Sequence, residues 1–392
     1  MDGFIGSKPI TRFALIGLSG MLLGCPNGDS NPVGNGTDGD VNAQTEVVTG
    51  GDTSPTNDVL KPASSVTLTL QSNASITPFS GYRGGFFPRI FYNANDDGFD
   101  FFLQGIIDPK PVSGPPNEFV AVKLDRNLQV VSTPVRLGLS AASGDMAMAQ
   151  KDGHYFHIAG KKPGWVLAKI DASFQVVDEV EVTHDEYDRA NDMVMNVTGN
   201  HLTLMTLHAS MKITPELMSG PGIWEEPTYG HLFFYDTDLK MTAPEVVLDV
   251  DFMSFGASVA QTDQGYAIIT ADALEESVLS AYLFDANWAH QETKKLADNG
   301  QWSQGVVVHQ GVTYVAYHEG PHSFGDLIVS AFGPNWDLLS TVNVTQFPTS
   351  GVPNNALRPW LIRVDDTLYV SFDSAEGGDP KARVAVIKIS ND

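Results

Sequence analysis

Cys25 is the only cysteine among 392 residues, and it closes an unbroken run of apolar and small residues. A lone thiol in that position cannot form an intramolecular disulfide, but it can accept an acyl chain. The other residues suited to chemistry are dispersed. Arginine is scarce, so its placement is readable. Arg83, Arg89, Arg189 and Arg358 each lie at or just before a short β-rich segment, and Asp145, Asp188, Asp192, Gln301 and Trp302 hold comparable positions. A guanidinium forks onto a carboxylate or sulfate, so Arg89, Arg189 and Arg358 with Asp145, Asp192 and Trp302 are candidate ligand-binding residues. The same arginines would equally tie neighbouring structural units together through ion pairs. His318-Glu319-Gly320-Pro321-His322 spells His-Glu-x-x-His, a zinc motif that works only on a helix, and Gly320 and Pro321 break helices. What remains is a weak metal set of His318 and His322 with Asp326 as third ligand. Trp224-Glu225-Glu226 offers an aromatic platform beside carboxylates, as sugar sites do. Adjacent strand residues point apart, so a second hydrolytic carboxylate would come from Asp145 or Asp192. Asn93-Ala94-Asn95-Asp96-Asp97-Gly98 imitates the first half of a calcium loop, but Gln104 stands where the twelfth-position Glu belongs. Calcium is therefore weakly supported, and a hairpin turn is the expectation. A Gly-x-Ser-x-Gly nucleophile elbow and a phosphate-cradling glycine loop are both absent from the sequence.

The residues before Cys25 have the layout of an export leader. Lys8 and Arg12 give a basic start, and residues 13–23 are apolar or small. As a helix that run spans roughly 16 Å, against a bilayer core of about 30 Å. Leu22-Leu23-Gly24-Cys25 resembles the lipobox of bacterial lipoproteins. The resemblance implies that residues 1–24 are a signal peptide removed before Cys25, that the Cys25 thiol is diacylated, and that the protein is held in the cell envelope by lipid. Pro26 stands where the best-known inner-membrane retention signal has aspartate, which favours the outer membrane.

Residues 25–63 read as a lipidated cysteine and an acidic tether. The stretch from Pro26 to Asp40 holds one aliphatic residue and no aromatic one. Such a segment buries too little apolar surface to offset the entropy of ordering it. The net charge of the whole chain is −24, and losing Asp2, Lys8 and Arg12 with the leader makes it −25. That charge argues against nucleic acid and against electrostatic adhesion to anionic lipid, leaving the lipid as the contact with the membrane.

Residues 64–392 must supply the scaffold, and a repeat runs through them. An alternating strand ends in an acidic or small residue, and a bulky apolar residue follows three positions later. The pairs are Asp125 with Leu128, Asp171 with Phe174, Asp236 with Leu239, Asp285 with Trp288 and Gly333 with Trp336, and a sixth copy is cut short at Ser390. Their spacings are 46, 65, 49, 48 and 57 residues. A tight turn between two strands accompanies each unit, as at Asp96-Asp97-Gly98 and Lys151-Asp152-Gly153. Units of this length built from short strands resemble the blades of six-bladed β-propellers. The all-β reading is a six-bladed propeller in which strand 65–70 closes a last blade that otherwise has only three strands; the 65-residue third unit keeps a seven-bladed count as the alternative. The sialidase box Ser-x-Asp-x-Gly-x-Thr-Trp and a Trp-Asp blade ending are both missing.

Propeller topology divides the connections between two ends. Hairpin turns collect at one end, and the long segments 106–118, 209–230, 271–277, 318–326, 348–358 and 374–382 at the other. Function favours long loops on a rigid scaffold. The expected activity is thus binding, by the loop end, of a glycan or an envelope protein; the alternative is a polysaccharide-active hydrolase or lyase using channel-mouth Arg, Asp and His residues. A scaffold within an envelope complex would show an apolar patch near Met211, Met218, Ile223 and Trp224.

Overall fold

The computed structural model describes residues 65–78, 82–107, 118–139, 147–160, 164–183, 191–208, 228–252, 257–272, 278–320, 325–347, 354–376 and 379–391. The leader, Cys25 and the tether to residue 63 lie outside them. The chain divides into two compact units; the one made of Val47–Met211 with Glu226–Asp392 contains every described residue.

The first strand, β1 (Val66–Ile76), belongs to the end of the fold. Blade one follows as β2 (Tyr82–Asn93), β3 (Gly98–Ile107), β4 (Glu118–Leu124) and β5 (Val135–Arg136). Blade two is β6 (Ala147–Lys151), β7 (His154–Gly160), β8 (Trp165–Ile170) and β9 (Val176–Val182). Blade three is β10 (Asn191–Thr198), β11 (His201–His208), β12 (Thr228–Tyr235) and β13 (Met241–Phe252). Blade four is β14 (Ala257–Thr262), β15 (Gly265–Asp272), β16 (Val278–Phe284) and β17 (His290–Ala297). Blade five is β18 (Gly300–His309), β19 (Val312–Glu319), β20 (Asp326–Phe332) and β21 (Leu338–Asn343). Blade six is β22 (Asn355–Val364), β23 (Thr367–Glu376) and β24 (Asp379–Asn391), completed by β1. Each blade is an antiparallel sheet in chain order, and the first strands neighbour one another around the centre from β6 through β10, β14, β18 and β22 to β2. The count is six; the extra length of the 65-residue third unit lies in the connection from β11 to β12 inside blade three, not in an extra blade.

The core lies between blades, which is why the strands alternate so strictly. Met193 and Met195 pack toward blade two with Phe156 and Trp165, while Val194 between them packs toward blade four with Val259 and Ile268. Both faces of each sheet are thus used, and a one-residue slip would exchange them. Five clusters of buried residues cover all six interfaces, with blade one joined to both neighbours through a single aromatic-rich cluster.

The repeated acidic residue is a turn device. Asp125 Oδ1 accepts from the backbone N–H of Asn127 at 2.9 Å and of Gln129 at 2.8 Å, and Asp171, Asp236 and Asp285 do the same in their blades. The chain reverses through the bulky residue, which takes φ between 61° and 65° at Leu128, Phe174, Leu239, Trp288 and Trp336. Left-handed backbone is unfavourable for a large side chain. Leu128, Phe174 and Leu239 offset that strain by burial, and Trp288 lies flat on Tyr266 with centroids 4.0 Å apart. Gly333 lacks the carboxylate, yet the backbone bonds of the turn persist, Trp336 N–H to Gly333 C=O at 2.9 Å.

The ring closes as expected and over a greater length. β1 pairs antiparallel with β24 from Val66 opposite Asn391 to Ile76 opposite Ala382, with a register shift between Leu70 and Ser72. Val66, Leu68 and Ile76 are buried, and Leu68 N–H donates to Ser340 Oγ of blade five at 3.1 Å. Blades six and one are also stitched by a parallel bridge between Gly84 and Lys381. The approach is so close that a Cβ on Gly85 would stand 2.2 Å from Ala382 N.

Candidate functional site

The turns joining the first strand of a blade to the second are short, as are those joining third to fourth in blades two to five, and all of them are described. The connections from second to third strand and from blade to blade emerge at the opposite end, and most of their residues lie outside the described set. That end is therefore known through the strand segments that reach it.

Four innermost strands are irregular there. The register of β2 against β3 shifts between Phe86 and Arg89, β10 against β11 between Asn191 and Val194, β18 against β19 between Gln301 and Gly305, and β22 against β23 between Leu357 and Trp360. Bulges re-aim side chains and gather at barrel rims and active sites. Arg89, Asp192, Trp302 and Arg358 all sit in or beside these bulges. Asp145, Arg189, Trp224 and His322 lie outside the described residues, as do Met211, Met218 and Ile223.

The structure brings Arg89 and Arg358 together at the seam of blades one and six. Arg89 is buried, with its guanidinium over the Trp360 ring at 5.2 Å and Nη1 donating to the Arg358 carbonyl at 3.3 Å. Arg358 adopts φ 53°, lays its guanidinium over Phe87 at 4.4 Å, and donates from Nη1 to Asp373 Oδ2 at 2.7 Å. Burial pushes the Asp373 carboxyl up, and the charge and hydrogen bond of Arg358 pull it back. The carboxylate clamped at this seam is thus the chain's own. Ser371 Oγ donates to the Pro88 carbonyl at 2.8 Å and Trp360 Nε1 to the Ile90 carbonyl at 3.1 Å, locking the same two blades.

Of the loop-metal set, His322 lies outside the described residues, and His318 and Asp326 do not converge. His318 faces Leu327 across the ladder and Asp326 faces Glu319, adjacent positions whose side chains leave opposite faces of the sheet. His318 is fully buried, its Nδ1 2.8 Å from the Ala356 carbonyl, and it packs where a Cβ on Gly325 would strike its ring. Asp326 is occupied by Asn343 Nδ2 at 2.8 Å, Thr345 Oγ1 at 2.8 Å and Phe347 N–H at 2.6 Å. Among the described residues no group of three His, Cys, Asp or Glu side chains is placed to hold a metal. The calcium-like segment is the expected turn: Asn93 Oδ1 accepts from the backbone N–H of Asn95 at 3.1 Å and Asp96 at 3.4 Å.

Two polar residues of this region carry no pattern in the sequence. Asp373 follows the apolar run of β23, and His157 is embedded among apolar residues of β7. An ionisable residue inside a buried strand is itself the signal, because it demands a partner or loses its charge. His157 takes the second course. Burial, together with the nearby Arg89 charge, holds its pKa down to about 4, and the ring packs on Phe119 at 4.8 Å. Between pH 6.5 and 4 the unfolded chain then binds a proton that the folded chain does not. Stability is complete above that window and falls as pH drops through it, by about 3 kcal/mol at ~1.4 kcal/mol per unit. Asp100 and Asp373, with raised pKa values, act in the opposite sense, so the informative quantity is a difference. His157→Phe should lose less stability than the parent between pH 7 and pH 4 in thermal melts; parallel curves would show that His157 does not titrate there.

No family model and no curated protein matches the chain. Solved structures do, and they share the propeller. The haemagglutinin-neuraminidase ectodomain of parainfluenza virus 5 aligns over 83% of this chain and 85% of its own, at 6% identity and a TM-score of 0.52. A Trypanosoma rangeli sialidase, solved with the inhibitor DANA, aligns over 84% of this chain and 58% of its own at 11% identity and a TM-score of 0.50. A member of the DUF4221 family from Bacteroides vulgatus aligns over 84% of this chain and 100% of its own at 10% identity and a TM-score of 0.44. At these identities the likeness defines the fold alone: the chain carries a six-bladed β-propeller.

Proposed function

We propose that this protein is a lipid-anchored binding propeller of the bacterial cell envelope, attached through Cys25, whose loop end takes up a glycan or an envelope protein. The supporting observation is the set of four bulges in the innermost strands, all at the loop end and all carrying or adjoining Arg89, Asp192, Trp302 or Arg358. The opposite end is built from stereotyped turns whose polar groups are spent on the backbone. A polysaccharide-active hydrolase or lyase is the second reading, favoured by the sialidase that shares the fold. Against it, the Arg358 guanidinium is already paired with Asp373.

Two measurements test the proposal. Cys25→Ser should abolish incorporation of a fatty-acid probe and leave the leader uncut at this site; undiminished label would sink the lipid anchor. A glycan array probed with the lipid-free protein, paired with a reducing-sugar assay on each hit, separates binding from turnover. Retention without release of sugar supports the binding module, and release of new reducing ends replaces it with the enzyme.

A further inference from the structure

A polar cleft lies at the turn end, away from the loops, between blades five and six. Its volume is about 130 Å³, and its walls include His309 at the end of β18, Tyr314 on β19, Arg363 near the end of β22, Asp366 in the following turn, and Asn391 on β24. The space is that of about four waters at ~30 Å³ each. Tight turns explain the other short connections of this end, but they do not explain Arg363. Its side chain is only 20% exposed, its Nε is buried without an acceptor, and its ion-pair partner among the described residues, Asp366, stands 3.6 Å away and is 66% exposed. A largely desolvated guanidinium with so distant a carboxylate is an anion site waiting for a closer one.

We propose that this cleft binds a small monocarboxylate, with Arg363 as its anchor and His309, Tyr314 and Asn391 as neutral partners. The charge favours a monoanion: Arg363 and Lys388 supply two positive charges, and Asp366, 3.8 Å from Lys388, removes one. A dianion such as phosphate would meet Asp366 at close range within a protein of net charge −24. The neutral groups suit the role. Burial and the Arg363 charge hold the His309 pKa below its ordinary value, so at pH 7 the ring is uncharged and offers one N–H. Burial raises the Tyr314 pKa, so its hydroxyl keeps its proton and can donate. A planar carboxylate on the guanidinium would place its second oxygen toward such donors.

The probe is propionate, with propionamide as the uncharged molecule of the same shape, titrated calorimetrically into the full chain. The expected result is saturable propionate binding and none for propionamide. Arg363→Gln should weaken propionate at least tenfold. Asp366→Asn should tighten it severalfold by removing the competing carboxylate, and this second variant keeps the proposal testable if Arg363→Gln folds poorly. Equal affinity for propionate and propionamide, or unchanged affinity in both variants, overturns the proposal.

Discussion

Deleting residues 65–76 is expected to destroy the fold rather than trim it. The segment supplies the outer strand of blade six, ten registered pairs with β24, and the buried side chains of Val66, Leu68 and Ile76. At about 1.5–3 kcal/mol for each buried aliphatic side chain, the packing loss alone is about 5–9 kcal/mol. Typical total stabilities are about 5–15 kcal/mol. The deletion also bares the edge of β24, a long apolar strand ready to pair with another copy. The expected observations are a lost or much lowered melting transition and aggregation in size-exclusion chromatography. Deleting residues 27–60 instead should leave the melting temperature unchanged. Equal melting temperatures for the parent and the 65–76 deletion would show that the ring does not depend on this closure.

Removing the charge of Arg358 should produce the next largest effect. Arg358→Met leaves the Asp373 carboxylate in a buried site with its main compensating charge gone, a situation that costs about 3–5 kcal/mol. Arg358→Met combined with Asp373→Leu should recover much of that loss, because no unpaired charge remains. Arg358→Lys keeps the charge but not the planar fork that reaches Asp373 while lying on Phe87, so an intermediate loss is expected. Thermal unfolding and ligand titration on the same variants separate the two roles of this arginine. A loss of stability with intact affinity assigns it to the seam between blades; a loss of affinity with intact stability assigns it to ligand and overturns the seam role.

The blades were legible because each repeats one local solution. An acidic residue followed three positions later by a bulky one marks the third turn, and Asp125, Asp171, Asp236 and Asp285 all use it in the same way. The closing strand was visible only as far as its alternation lasts. Beyond Leu70 the residues Gln71, Ser72 and Asn73 break the pattern, and the ladder continues to Ile76 through a shifted register, held by backbone pairing, by Arg383 Nε donating to Asn73 Oδ1 at 3.0 Å and by the burial of Ile76. The meeting of Arg89 with Arg358 followed from ring order, since the last blade must lie beside the first. What lies between them did not. Asp373 reaches Arg358 through the pairing of β22 with β23, and nothing near either residue announces the other. The bulges were equally hidden, because an extra residue in a strand leaves no mark until the partner strand fixes the register.

The register of β1 also gives the molecule a direction. Val66 begins at the turn end opposite Asn391, and Ile76 finishes at the loop end opposite Ala382. The proposed anchor at Cys25 would therefore pull on the ring at its turn end. Tension between that anchor and a partner held by the loops would run along β1 rather than across it. The strand would be sheared against β24 with its ten pairs sharing the load, instead of being peeled away one pair at a time. Under the proposed anchoring, the segment that closes the circle would also carry the load.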